Sequence, residues 1–456
     1  MQTLEPGVTL PQPSQKTNTL ASSFAQPRLR PPVLRVFLSV ALAGVALRLL
    51  VSCLGHNFDL DSWNIAANLM SAGKSVYANT SRYNYAPAGL VLIALAKWLA
   101  LVLGSPSVQT FHFLFALFLS VADVIIGLLL LRRAGFAAAC FYLLNPVSIL
   151  LTGFHSQIDN LAIAAGFASW LLLDKDKPAR DYASAVLLGL SLAIKHIFIF
   201  FPLWLLIAGH KRSLRTRVLY ATIAYSIPIV MLAGYALIHP GSLPGIQANV
   251  INYRGWGFYG TGILPMMGLA IETAFPGATL PPFASPTLFF AMGMLLVGSL
   301  VVWKRPGASF YVYLVALTLF TPTITDQYLI IPLIACSMIC TEWPAWLYTA
   351  VCTAFLVLIS PYNVGSLWPI SLVQHYRGLH VLVRCLCQVP LLLVLLLLSG
   401  AVRRPGKTGN PSLEAGPLGP SGSPHHAEAT STDDVACLSL NVDKVKYHGN
   451  DSTSRH

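Results

Sequence analysis

Residues 34–63 read LRVFLSVALAGVALRLLVSCLGHNFDLDSW. Positions 34–54 form an almost unbroken apolar run, long enough to cross a bilayer as a helix. The chain then turns polar and presents two carboxylates, Asp59 and Asp61, followed by Trp63. The polar stretch continues as NIAANLMSAGKSVYANTSRYNYAP, residues 64–87, which adds Tyr77, Arg82, Tyr83 and Tyr85. Apolar segments resume beyond Pro87. A span that ends in a carboxylate-bearing, aromatic loop places that loop at a membrane surface.

Composition agrees. Of 456 residues, 55% are hydrophobic and 10% charged, against roughly 25% charged in soluble proteins. Apolar runs of near-bilayer length recur along the chain, which specifies an all-α polytopic membrane protein of about 10–12 transmembrane helices. Outer-face loops and re-entrant or interfacial helices complete the expected architecture. The formal charge of +12 does not indicate nucleic acid, because the basic residues sit in short clusters between apolar runs, where they encode orientation. The eight cysteines are scattered and lack zinc-ligand spacing, so they read as buried bystanders. Residues 1–32, rich in Pro, Gln, Ser and Thr, are expected to form a disordered cytoplasmic tail without signal-peptide order. Residues 33–401 form the transmembrane domain, and 402–456 a second disordered cytoplasmic tail.

The basic clusters act as orientation marks. Arg28, Arg30 and Arg35 flank the first span, so the amino terminus is expected in the cytoplasm and Asp59 on the outer side. If Arg132-Arg133, Lys175/Lys177/Arg180, Lys211/Arg212/Arg215/Arg217, Lys304-Arg305 and Arg403-Arg404 are all cytoplasmic, each interval holds an even number of crossings. The outward tips are then 153–160, Lys195-His196, 239–262, 321–328 and 360–369. Two segments need special geometry. Residues 86–104 are expected as a re-entrant or in-plane outer helix, with Lys97 and Trp98 near its polar edge. Residues 183–209 are too short for two full crossings and are expected as two shortened helices bent near Lys195 and Pro202.

An ionisable group in or at the mouth of a membrane helix is a functional hypothesis by default. Asp59 and Asp61, two apart, do not share a helix face, so one works and the other positions or solvates; helix capping is the plainer alternative. Trp63, Tyr77, Tyr83 and Tyr85 suit stacking on sugar rings, although interfacial belts use the same residues. Asn145-Pro146 and Gly153-Phe154-His155-Ser156-Gln157-Ile158-Asp159-Asn160 gather polar side chains at one helix end, suited to a phosphate, to sugar hydroxyls or to an interhelical network. Lys195-His196 offers cationic donors at depth, the partner a desolvated phosphate needs, with a snorkelling lysine as the alternative. Arg254 and Trp256 in YRGWG add a second cation with ring faces. Asp326-Gln327-Tyr328 reads as a site segment or an N-cap, and His375, Tyr376 and Arg377 open the last span. No Gly-rich phosphate loop follows a strand, no acidic cluster resembles a metal cage, and no cofactor is implied.

In their order, FDLDSW, SAGKSVY, YNYAP, NPVSILLTGFHSQIDNLA, IKH, YRGWGFYG and TPTITDQYLIIPL resemble the multi-spanning GT-C glycosyltransferases over about residues 35–400. The nearest likeness is to the bacterial branch of polyprenyl-phosphate-sugar-dependent transferases related to the mannosyltransferases of GPI-anchor assembly. HSQIDN is also similar to the HFQYN-type motif of dolichyl-phosphate-glucose-dependent glucosyltransferases. The resemblance implies inverting transfer of a hexose, mannose favoured, from a polyprenyl-phosphate sugar to a glycan, glycolipid or protein acceptor on the periplasmic or lumenal face. It implies Asp59 as base, with Asp61 as runner-up, and Lys195, His196 and Arg254 at the donor phosphate. It places His155, Gln157 and Asp159 near donor or acceptor and the run around Trp256 over the site; Trp63, Tyr83, Tyr85, Asp326 and Gln327 are read from their own chemistry as further sugar or acceptor contacts. The proline that usually follows the lysine is missing here. Membrane lipids surround the chain; a bacterial inner membrane is favoured over endoplasmic reticulum. A transporter or lipid-linked-sugar flippase is the competing class, and no internal repeat supports it.

Overall fold

The computed structural model describes residues 31–173, 178–208, 212–252, 306–321, 326–359 and 386–399, with positions 275, 293–294 and 296–298. Its first helix, α1 (Pro31–Ser52), begins two residues ahead of the expected boundary, at a pair of prolines suited to a first turn. Asn57 then caps α2 (Phe58–Ser71), and Ser75 caps the single turn α3 (Val76–Asn79). Residues 86–104 form α4 (Ala88–Val102), which is shorter than a full span and is grouped with the shorter apolar helices. It packs on α2 and on α5 (Val108–Ala134). Ser107 starts α5 and Gly135, at φ +93°, stops it, with Arg132 and Arg133 in its last turn.

The chain continues through α6 (Phe136–Leu143), α7 (Pro146–Gly153) and α8 (Asp159–Leu173). Next come α9 (Pro178–Ile194), α10 (Phe201–Ala208), α11 (Leu214–Ile238) and the turn α12 (Leu243–Ile246). After residue 305 lie α13 (Ser309–Phe320), α14 (Leu333–Ser337), α15 (Trp343–Ala354) and α16 (Gln388–Ser399). Among the described residues the protein is all-helical. Among the described residues three helices, α1, α5 and α11, are long and apolar enough to cross a membrane. The count rises to five if two bent pairs are each one span: α6 with α7, bent by 46°, and α9 with the segment reaching α10, bent by 120°. The second bend falls at Lys195, where the sequence calls for a broken pair.

A saturated polar cluster fixes the first half of the bundle. Arg48 of α1 is 1% exposed and pairs with Asp123 of α5, also 1% exposed, at 2.8 Å. Its other nitrogens donate to the Gly44 and Leu143 carbonyls and to Ser148 Oγ. Asp123 accepts further from Tyr142 and Thr152, each at 2.8 Å. Glycine completes the seam: a Cβ at Gly153 would stand 2.5 Å from the Arg48 carbonyl oxygen. The carboxyl end of α1 and that of α7 are thereby held side by side, and the loops leaving them face each other. A second clamp ties the opposite region, where Arg212 grips Asp181 by two nitrogens at 3.0 Å.

Candidate functional site

The site is assembled by the loop between α7 and α8, residues 154–158, set against the start of α2. Asn57 Oδ1 accepts from Asp59 N at 3.1 Å as the helix cap. That role fixes the orientation of its amide. The Asn57 NH₂ therefore points at Asp59 Oδ2 (3.1 Å) and at His155 Nδ1 (2.7 Å). A nitrogen that accepts carries no proton, so His155 is neutral, with its proton on Nε2. Burial also lowers the His155 pKa, against the opposing pull of the Asp326 and Asp59 charges. Gln157 completes the collar around the base candidate, donating to Asp59 Oδ2 at 2.5 Å and to the His155 carbonyl at 3.3 Å.

Two residues further on, Asp159 reaches the other pole. Its Oδ2 accepts from Lys195 Nζ at 2.5 Å, and both side chains are fully buried. Lys195 also donates to Gln327 Oε1 at 3.1 Å. Its ammonium lies 4.9 Å and 5.0 Å from the ring centres of Tyr85 and Tyr328, within cation–π range. His196 stacks on Tyr85, ring centres 6.2 Å apart. The 120° bend is what admits this lysine: Lys195 takes an extended backbone between α9 and a short turn at His196–Phe198, which aims the side chain into the bundle.

The expected tips meet. Trp63 Nε1 donates to the Ser156 carbonyl at 3.1 Å, and Ser156 sits at φ +51°. Tyr235 of α11 accepts from Val76 N at 2.8 Å. Gly245 lies so close to the Tyr77 carbonyl that a Cβ there would overlap its oxygen. The 55–87, 153–160, 195–196, 239–252 and 326–328 segments therefore share one end of the bundle. The 360–369 tip lies outside the described residues.

Individual assignments divide. Asp59, His155, Gln157, Asp159, Lys195, His196, Tyr85 and Gln327 are brought together, with Asp326 close enough for its charge to act on His155. Asp61 faces away: it is half-exposed and meets His56 Nε2 at 3.1 Å. Trp63, Tyr77 and Tyr83 are buried against one another with 5.6–6.1 Å between neighbouring ring centres, so their faces are already used inside the protein. Tyr83 donates to the Ala86 carbonyl and Tyr77 to that of Tyr85. Arg254, Trp256, His375, Tyr376 and Arg377 lie outside the described residues. Sequence reasoning passed over Asn57, although an asparagine before an amphipathic run is a legible cap, and gave no role to Arg82, which lies 3.5 Å above the Phe58 ring and donates to the Phe58 carbonyl. Among the described residues, no three His, Cys, Asp or Glu side chains cluster as a metal site requires.

The arrangement pairs a carboxylate fixed by neutral donors with a buried ammonium, joined through one five-residue loop. Compared with known proteins, the chain matches no family model, and no curated protein matches it significantly.

Proposed function

We propose that the protein is a GT-C-like glycosyltransferase of about 10–12 transmembrane helices that moves a hexose, mannose favoured, from a polyprenyl-phosphate sugar with inversion. The observation that carries the proposal is the bridge from Asp59 to Lys195 through Gln157 and Asp159, with a 2.5 Å hydrogen bond at each end. Asp59 removes the proton of an acceptor hydroxyl; its oxygen bonds to the anomeric carbon, and the carbon–phosphate oxygen bond breaks with its electron pair going to the phosphate. General-base assistance of this kind contributes about 10²–10⁴-fold. Lys195 stabilises the leaving phosphate. Two of its three N–H donors serve Asp159 and Gln327, and a phosphate outcompetes the neutral glutamine for an ammonium. The acceptor is a glycan, glycolipid or protein, and the reaction lies on the outer face, in a bacterial inner membrane by preference.

A transporter or flippase is the second reading, favoured by the helix broken at Lys195 and the buried ion pair there. The experiment that separates them supplies membranes with radiolabelled polyprenyl-phosphate mannose or glucose and fractionates lipid and protein products. Wild type and Asp61→Asn transfer label, while Asp59→Asn loses about 10²-fold or more with normal expression. Full transfer by Asp59→Asn removes the base assignment; label crossing the membrane unchanged favours transport.

A further inference from the structure

We infer that Gln157 and Asp159 form a hydroxyl-reading subsite for the donor's sugar, in which Asp159 Oδ1 takes the hydroxyl beside the anomeric carbon; this rests on the transferase reading. Each side chain is divided. Gln157 Nε2 is pinned by two acceptors, Asp59 Oδ2 and the His155 carbonyl, so its orientation is settled and Oε1 is left buried without a partner. Asp159 holds Lys195 with Oδ2, while Oδ1 is buried and likewise unpartnered. Ser156 Oγ, next in the same loop, is a third such atom. Both Gln157 and Asp159 are fully buried.

An acceptor left dry costs as much as a broken hydrogen bond. The Arg48–Asp123 cluster avoids that cost, with both carboxylate oxygens and all three guanidinium nitrogens matched, whereas single unpartnered buried atoms recur elsewhere, as at Asn64, Trp170 and Ser242. What singles out the orphans at 156–159 is their place, gathered between Asp59 and Lys195. What Gln157 Oε1 and Asp159 Oδ1 lack is a hydrogen to accept, and a phosphate oxygen has none to give. Hydroxyl protons do. Gln157 borders the base, where the nucleophile arrives, and Asp159 borders the ammonium, where the phosphate leaves. A carboxylate that grips the phosphate's counter-charge with one oxygen lies nearest the carbon bearing that phosphate. The hydroxyl within reach of its other oxygen is the one on the adjacent ring carbon.

The test uses the full-length protein in lipid nanodiscs with synthetic polyprenyl-phosphate mannose and its 2-deoxy counterpart. Wild type is expected to use the deoxy donor about 10- to 100-fold less well in kcat/KM. In Asp159→Ala both donors fall, and their ratio collapses to within about threefold, because the partner of the 2-hydroxyl is gone. That ratio is internal to each variant, so poor folding does not imitate it. Equal use of both donors by wild type, or an unchanged ratio in Asp159→Ala, overturns the subsite while leaving the transferase reading intact. If wild type transfers from neither donor, the comparison is repeated with polyprenyl-phosphate glucose and its 2-deoxy counterpart, and failure with all four donors sinks the transferase reading. Binding of the two mannose lipids then decides the subsite: tighter binding of the hydroxylated lipid keeps it, and equal binding removes it.

Discussion

Replacing Asp123 by asparagine removes the charge on which three donors converge: Arg48 Nε, Tyr142 OH and Thr152 Oγ1, each at 2.8 Å. The new amide keeps one acceptor oxygen and turns an NH₂ toward groups that themselves donate. Arg48, 1% exposed, cannot recover the loss from water. Breaking a buried pair from one side costs about 3–5 kcal/mol, which is about 150- to 5000-fold in the unfolding equilibrium at about 1.4 kcal/mol per decade. The assay is unfolding of the detergent-solubilised protein by increasing dodecyl sulfate mole fraction, followed by circular dichroism. Asp181→Asn is the comparison, because its partner Arg212 is 21% exposed and Asp181 11%, so water at that edge makes good part of the lost pair. It should lose less. Arg48→Met with Asp123→Leu should regain part of the loss, since no lone charge remains. Unfolding of Asp123→Asn at the wild-type midpoint, or equal losses at both sites, would refute the argument.

Gly245→Ala should undock the 239–252 segment from the 55–87 segment, since a Cβ at that position collides with the Tyr77 carbonyl; limited proteolysis after residue 239 should quicken while the α1–α5 clamp keeps its stability. Burial holds the His155 pKa below the ordinary 6.5, so below that pH the unfolded chain binds a proton that the folded one resists. The stability it contributes is complete above about pH 6.5 and declines as pH falls beneath it, and thermal unfolding of His155→Asn between pH 8 and 5 should show a shallower decline than wild type. Asn79, exposed in an Asn-Thr-Ser sequon, should carry a glycan when the chain is made in a glycosylating eukaryotic host, giving a gel shift that Asn79→Gln abolishes. Absence of that shift, with the protein inserted, would put the loop on the cytosolic side.

Sequence made the coarse organisation legible wherever a periodic or parity signal exists. Short apolar runs between basic marks located the 153–160 tip and the break at Lys195, because both depend on length arithmetic along one chain. Arg48 and Asp123 gave no such signal. Each is one charge inside a long apolar helix, and only the packing of α1 on α5 shows that they are partners 75 residues apart. The aromatic loop residues misled for a related reason. Trp63, Tyr77 and Tyr83 have the composition of a sugar platform, but whether a ring faces a cavity or another ring is decided by tertiary packing. Asp59 and Asp61 separated as helical spacing requires, with only Asp59 turned to the loop after α7.

Asparagine, aspartate, serine and threonine all begin helices well, and the chain uses serine for that purpose ahead of α3, α5 and α11. At position 57 only asparagine meets every local demand. A serine hydroxyl has one proton to give where an imidazole and a carboxylate each want one, and an aspartate would add a negative charge where Asp59 already carries one. The residue that punctuates the fold thus also chooses which nitrogen of His155 is protonated. Start signal and proton wiring are one side chain, and the first turn of α2 cannot form in its native way without setting the electrostatics of the cluster it borders.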